Sequence, residues 1–386
     1  MAQNLSYSQW VRSTLAFGRR RDAGFVSLFD SHPAEPIDLL RNVIERGFSA
    51  PLTDRYTSAF ASGNPFVLAS LARRYGRDPA EFLTTTGATN AIALVYRALV
   101  SDGERILVET PSFDLFEDIA ATAGFAIDQL VRRAPDYRID PVALAAAIRP
   151  NTRLVVLSNL HNPSGAALRL EDLRAIAAVA ERTGVHVLFD EVYLAYGEAN
   201  GVVSAADVSD RFIVISSMTK MYALATLRCG WILASPTIIS QVREVADRTD
   251  FSVSNLAHAV AALVLEDSAP FAAHCSGIVR DALPVVRRFY DLWHAEGLVE
   301  GNAPTHGCIS FPRLVGIDDT HRFATTLIAS SGVVVAPGEY FGAPGHIRLG
   351  HAKPVAVLEP ALMRLTDALR AARLPTTTKT REGATL

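Results

Sequence analysis

Four short apolar runs punctuate the first two-thirds of the chain: Arg105-Ile106-Leu107-Val108, Leu154-Val155-Val156-Leu157, Val185-His186-Val187-Leu188-Phe189 and Phe212-Ile213-Val214-Ile215. Continuous apolar character rich in Val and Ile predicts strands buried on both faces, as in a mainly parallel sheet. Between them the spacing turns helical. Over 170–181, Leu170, Leu173, Ile176, Ala177 and Ala180 share one face while Glu171, Arg174 and Glu181 fall off it. Strands alternating with such segments imply an α/β layered domain with crossover helices. In such sheets ligands bind beyond the carboxyl ends of the strands. Polar clusters follow three of the runs: Ser158-Asn159 to Gly165, Asp190 to Tyr193, and Ser216 to Lys220.

Towards the C-terminus the pattern changes. Helical stretches over 278–295 and 320–330 bracket shorter strand-like pieces such as Cys308-Ile309-Ser310-Phe311, and a last helix is expected over 355–372. This predicts a second, smaller α+β unit from about residue 290, joined by the N-terminal segment. The polar end, TTTKTREGATL, is expected to be a disordered tail over 375–386.

Composition narrows the function classes. With 386 residues, 49% of them hydrophobic, the chain can bury a large core or two subdomains. Charge is nearly balanced, 37 basic against 40 acidic residues, and no basic tract interleaves with aromatics. A small-molecule role therefore fits better than a nucleic-acid partner. The N-terminal stretch lacks the apolar core of a signal peptide, and no apolar run is long enough to span a bilayer. Cys229, Cys275 and Cys308 are odd in number and widely spaced, fitting neither a disulfide framework nor a zinc site. A cytoplasmic protein without a metal is the expectation.

Only three lysines occur, Lys220, Lys353 and Lys379, in a chain whose cations are overwhelmingly arginine. Arginine replaces lysine wherever only charge is wanted, but a guanidinium cannot form an imine with an aldehyde. Lys220 therefore raises the question of amine chemistry, which composition alone does not answer. Its surroundings go further. In Ser216-Ser217-Met218-Thr219-Lys220, hydroxyls flank the lysine, and Arg228 follows eight positions later. Hydroxyls and a guanidinium are phosphate ligands, so a phosphorylated aldehyde fits; a capped strand end with Arg228 in a surface pair fits the same letters. Asp190, in Asp190-Glu191-Val192-Tyr193, ends a buried run, where a carboxylate is costly unless it meets a cation such as a protonated pyridine nitrogen. A helix-capping aspartate is the plainer alternative. Asn162-Pro163-Ser164-Gly165 is a turn that presents an amide. Gly87-Ala88-Thr89 opens a helical stretch over 91–99, either as an anion site or as ordinary capping.

Taken in order, these segments resemble the class I/II aminotransferase family of fold-type I pyridoxal-phosphate enzymes. The resemblance runs from about Tyr56 to Arg348 and includes Pro337-Gly338-Glu339-Tyr340-Phe341-Gly342 followed by His346-Ile347-Arg348-Leu349. It implies an aspartate-aminotransferase-like fold: a three-layer large domain over 47–289 with a mainly parallel seven-stranded sheet, and a smaller α+β domain from 1–46 and 290–374. It implies pyridoxal 5'-phosphate bound to Lys220 as a Schiff base, with Lys220 later moving a proton, Asp190 on the pyridine nitrogen, and Asn162 and Tyr193 on the 3-hydroxyl. Gly87, Ala88, Thr89, Ser217 and Arg228 would hold the phosphate, Phe113 would stack on the ring, and Arg348 would take the substrate carboxylate beside Asn162. Tyr56 resembles a tyrosine sent to the phosphate of a neighbouring subunit, implying a homodimer with shared sites. His32 stands where the family often touches substrate.

Two departures stand out: the stretch 221–227 looks more helical than usual, and the spacing from Tyr56 to Gly63 is longer. The implied reaction is transfer of an amino group between an α-amino acid and a 2-oxo acid. The same scaffold also supports β- or γ-elimination or replacement, or a cyclase of specialised metabolism, depending on which bond the pocket aligns with the ring. A regulator's sensor domain is a third reading, but no helix-turn-helix pattern precedes Tyr56. Phe60, Tyr340 and Phe341 hint at an apolar or aromatic substrate.

Overall fold

The computed structural model describes residues 6–18, 24–59 and 63–373; Phe60 and the expected tail 375–386 lie outside them. Seven strands build the main sheet: β1 (Phe82–Thr85), β2 (Arg105–Thr110), β3 (Ala126–Val131), β4 (Thr152–Ser158), β5 (His186–Asp190), β6 (Phe212–Ser217) and β7 (Gly230–Leu233). Their spatial order is β1-β7-β6-β5-β4-β2-β3. Only β7 runs against its neighbours β1 and β6; the other pairs are parallel. The fold is the expected α/β sandwich, and the alternation of each strand shows why. Leu107, Val155, Leu157, Val187, Phe189 and Val214 enter the core on one face, while Ile106, Val108, Leu154, Val156, Leu188 and Ile213 enter the core on the other. Each such side chain contributes about 1.5–3 kcal/mol by leaving water, so both faces must be covered. Helices Pro65–Tyr75, Leu170–Thr183 and Asn255–Glu266 cover the first face; Ala88–Leu99 and Pro236–Thr249 cover the second.

A second core lies around the long helix Ala269–Ala295 and the last helix Val355–Arg373, where Trp293 and Leu365 are fully buried and Trp293 Nε1 donates to Thr366 Oγ1 at 2.8 Å. Short strands complete this unit: Ile347–Gly350 lies between Ile309–Ser310 and Ala336–Pro337, both antiparallel. The N-terminal segment joins it through Val26–Ser27, which pairs with Val333–Val334. Helix Ile37–Gly47, inside the segment expected in the smaller unit, instead packs Val43 into the main-sheet core. Ala269–Ala295 begins nine residues before the helix expected at 278 and runs through both cores, from Phe271 in the first to Trp293 in the second.

The stretch 222–227 is not helical. The helix Met218–Met221 stops there, Ala223 turns to φ +56° and Arg228 to φ +47°, which sends Leu224 into the main core. Burial of Leu224 outweighs local helical preference. At the other turn, Gly165 has φ +77°, and a β-carbon there would lie 2.7 Å from the Ile309 carbonyl oxygen. Only glycine lets the Asn162 turn lie so close to the small unit.

Candidate active site

The chain doubles back between β4 and β2, and loops from the carboxyl ends of β1, β2, β4, β5 and β6 converge there. They enclose a cavity of about 280 Å³. Ala88, Thr89, Phe113, Asn162, Asp190, Tyr193, Ser217, Lys220 and Arg228 line it from those loops, and His32 and Arg348 line it from the N-terminal segment and the small unit. Gly87 caps the helix Ala88–Leu99 beneath. Tyr56 is not among the lining residues: it is 49% exposed, its ring edge-on to Phe48. Neither Tyr340 nor Phe341 is on the cavity wall: the Phe341 ring lies 4.8 Å from the Arg348 guanidinium, and Tyr340 packs on Tyr7 at 5.7 Å between centroids.

Lys220 Nζ donates to Ser31 Oγ at 2.7 Å, and its own carbonyl accepts from the Tyr196 hydroxyl at 2.6 Å. Desolvation, followed by the Arg348 charge, pushes the amine down to about 8. The same loss of water pushes the Asp190 carboxyl up to about 7; it accepts only the Val192 amide, at 3.1 Å, and forms no ion pair among the described residues. A buried acid in that state is costly unless a cation arrives. His32 is pushed down to about 4, by burial and then by Lys220, so it is neutral at pH 7.

The other end of the cavity is rich in hydrogen-bond donors. No side chain caps the Ala88–Leu99 helix, and no acidic residue lies in its first turn. Asn90 is turned away, accepting from Thr86 N and donating to Asp250. Arg228 faces this helix start: a β-carbon on Gly87 would sit 2.7 Å from its Nη2. Free amides, helix dipole and a guanidinium without an ion pair among the described residues could together hold a phosphate. A desolvated amine, a buried acid without an ion pair among the described residues and a donor-rich helix start beside Arg228, all in one cavity, fit pyridoxal phosphate.

Arg348 differs. It is 2% exposed, and Nη1 donates to Asn162 Oδ1 at 3.0 Å. Asn162 is itself anchored from below: its amide donates to Ser158 Oγ at 3.0 Å, Ser158 N donates to Glu109 at 2.8 Å, and Glu109 pairs with fully buried Arg132 at 2.7 Å. Sequence reasoning missed Glu109, Arg132, Ser31, Tyr196 and Tyr7. Ser31 sits beside the flagged His32, a signal that was within reach. The others meet the site only through tertiary contacts.

A family model described as aminotransferase class I and II matches residues 49–365. The chain belongs to this family, and it is a pyridoxal-phosphate-dependent aminotransferase. Among relatives, aspartate aminotransferase of Streptomyces avermitilis is 28% identical over 327 residues, 79% of this chain and 79% of that protein. Capreomycidine synthase of Streptomyces vinaceus is 28% identical over 316 residues, 80% of this chain and 79% of that protein. A single mutant of Thermus thermophilus aspartate aminotransferase has the same fold, with a TM-score of 0.83 at 22% identity over 95% of this chain and 97% of that one.

Proposed function

We propose that the chain moves an amino group from an α-amino acid to a 2-oxo acid, with Lys220 as the cofactor-bearing lysine and Arg348 as the seat of the substrate carboxylate. One observation carries the reading: the desolvated amine of Lys220 shares its cavity with the Asp190 acid and the Arg228 guanidinium, neither of which has an ion pair among the described residues. Pyridoxal phosphate, when bound, supplies an aldehyde for amines and a ring that accepts the electron pair released at a substrate's α-carbon. Arg228, the Ala88 and Thr89 amides and Ser217 would hold its phosphate above Gly87. Asp190 would keep its ring nitrogen protonated, Asn162 and Tyr193 would hold its 3-hydroxyl, and Phe113 would lie against the ring. Lys220, once free, takes a proton from the substrate α-carbon; an amine poised near 8 is well matched to that task.

The family habit of shared sites supports a homodimer in which exposed Tyr56 reaches the phosphate of the second subunit, and the composition supports a cytoplasmic location. His32, neutral and on the cavity wall, would face the substrate. The similarity to capreomycidine synthase favours a second reading, a cyclising or replacing reaction on the same scaffold. Single amino acids added to the holoenzyme without an oxo acid separate the two. Release of a 2-oxo acid supports amino transfer; ammonia, or a rebuilt side chain with the cofactor restored, overturns it.

A further inference from the structure

The Arg348 guanidinium is already engaged. Nη1 donates to Asn162 Oδ1, while Nη2 donates both to the Phe29 carbonyl, at 3.0 Å, and to the Tyr7 hydroxyl. Nε is buried with no partner among the described residues. A guanidinium grips a carboxylate with paired N–H groups along one of two edges, Nε with Nη2 or Nη1 with Nη2. Both edges need Nη2, and both of its hydrogens are in use. A bidentate carboxylate therefore has to evict either the Phe29 carbonyl or the Tyr7 hydroxyl.

The two are not equally movable. Phe29 follows Leu28, whose amide donates to Val334 O at 2.7 Å and whose carbonyl accepts from Gly350 N at 2.6 Å, so its backbone is held by the small unit. Tyr7 opens the N-terminal helix Tyr7–Gly18, and beyond Arg348 itself its side chain is held by rings: Trp10 at 5.8 Å, Tyr340 at 5.7 Å and Phe341 at 5.5 Å between centroids. Such contacts tolerate sliding, whereas a paired backbone carbonyl does not. Tyr7 also lines the cavity, so its hydroxyl lies where a ligand arrives.

We infer that the Tyr7 hydroxyl occupies the place on Arg348 that the substrate carboxylate takes, and that substrate binding displaces it. Tyr7 is thereby a residue that sets substrate affinity from the N-terminal helix. The inference rests on the proposed carboxylate role of Arg348. A neutral phenol satisfies the buried guanidinium when the site is empty, and an anion outcompetes it because a charged acceptor bonds more strongly.

The test uses holoenzyme with propionate, a carboxylate that cannot react, titrated by calorimetry and by the cofactor's visible spectrum. Tyr7→Phe keeps the ring packing and removes only the competing oxygen. It is expected to bind propionate about tenfold tighter, the equivalent of one charge-assisted hydrogen bond at its weaker limit. A tyrosine that merely holds the helix down would not give tighter binding on loss of its hydroxyl. Unchanged or weaker binding in Tyr7→Phe, with binding lost in Arg348→Gln, overturns the displacement alone and leaves Arg348 as the carboxylate seat. Unchanged propionate binding in Arg348→Gln overturns the carboxylate role itself and the inference with it.

Discussion

Arg228 and Arg348 line the same cavity in opposite conditions. Arg228 is exposed, sits in a strained left-handed turn and has no carboxylate within 4.0 Å among the described residues. Arg348 is buried on the strand Ile347–Gly350 and gives hydrogen bonds to Asn162, Phe29 and Tyr7. The contrast suits two different ligands. A cofactor phosphate stays, so a group that holds it, the role proposed for Arg228, can be left unsatisfied by the protein. A substrate carboxylate comes and goes in every cycle, and an empty buried guanidinium would be costly unless other acceptors held its hydrogens meanwhile.

Substitutions can break this contrast or sharpen it. The largest effect belongs to the group between the two arginines. Lys220→Ala should lower turnover by on the order of a thousandfold or more and abolish the visible band of lysine-bound cofactor. If that band persists, the amine lies elsewhere and the contrast loses its centre. Next come the arginines themselves. Arg348→Ala should raise the amino-acid KM by about a hundredfold with little change in cofactor affinity, while Arg228→Ala should weaken the cofactor by about ten- to a hundredfold. Equal effects of both on both ligands would erase the distinction.

A smaller effect concerns pH. Because Lys220 is pushed down to about 8 and only the neutral amine attacks an aldehyde, capture of cofactor by apoprotein should quicken about tenfold between pH 7 and 9. A flat rate across that range, followed in a stopped-flow instrument, would contradict the depressed value. The smallest effect is on stability. Asp190 is raised in the folded chain to about 7, so its contribution is present at low pH and is lost as pH rises through 7. Asp190→Asn should therefore melt about 2 °C higher than wild-type apoprotein at pH 8, with the gain shrinking as pH falls below 7 and vanishing only below about pH 4, where the unfolded carboxyl is protonated too. It should also bind cofactor more weakly. No gain at pH 8 would mean that a cation already meets the carboxylate.

Much of the cavity lining was legible in the sequence. Asp190, Asn162, Ser217 and Lys220 each follow a short apolar run, and a strand buried on both faces can only deliver its next residues to the sheet edge. The departure at 221–227 misled because local helical preference was read without the burial of Leu224. Tyr7 and Tyr196 carried no signal at all: an aromatic residue in an amphipathic segment looks the same whether it packs or binds. Glu109 and Arg132 carried no signal either, though their pairing supports Asn162 from within the core.

The sequence by itself determined the α/β layering, the order of the loops at the sheet edge and the presence of one well-placed lysine, because periodicity and residue type are local properties. The tertiary structure alone decided that Lys220 and Asp190 are desolvated enough to shift in opposite directions, and that Arg228 has no ion pair among the described residues while Arg348 is covered by the hydroxyl of Tyr7, 341 residues away. Those are consequences of what surrounds each charge. Electrostatic energy depends on distance and on excluded water, and neither is written in the order of the residues.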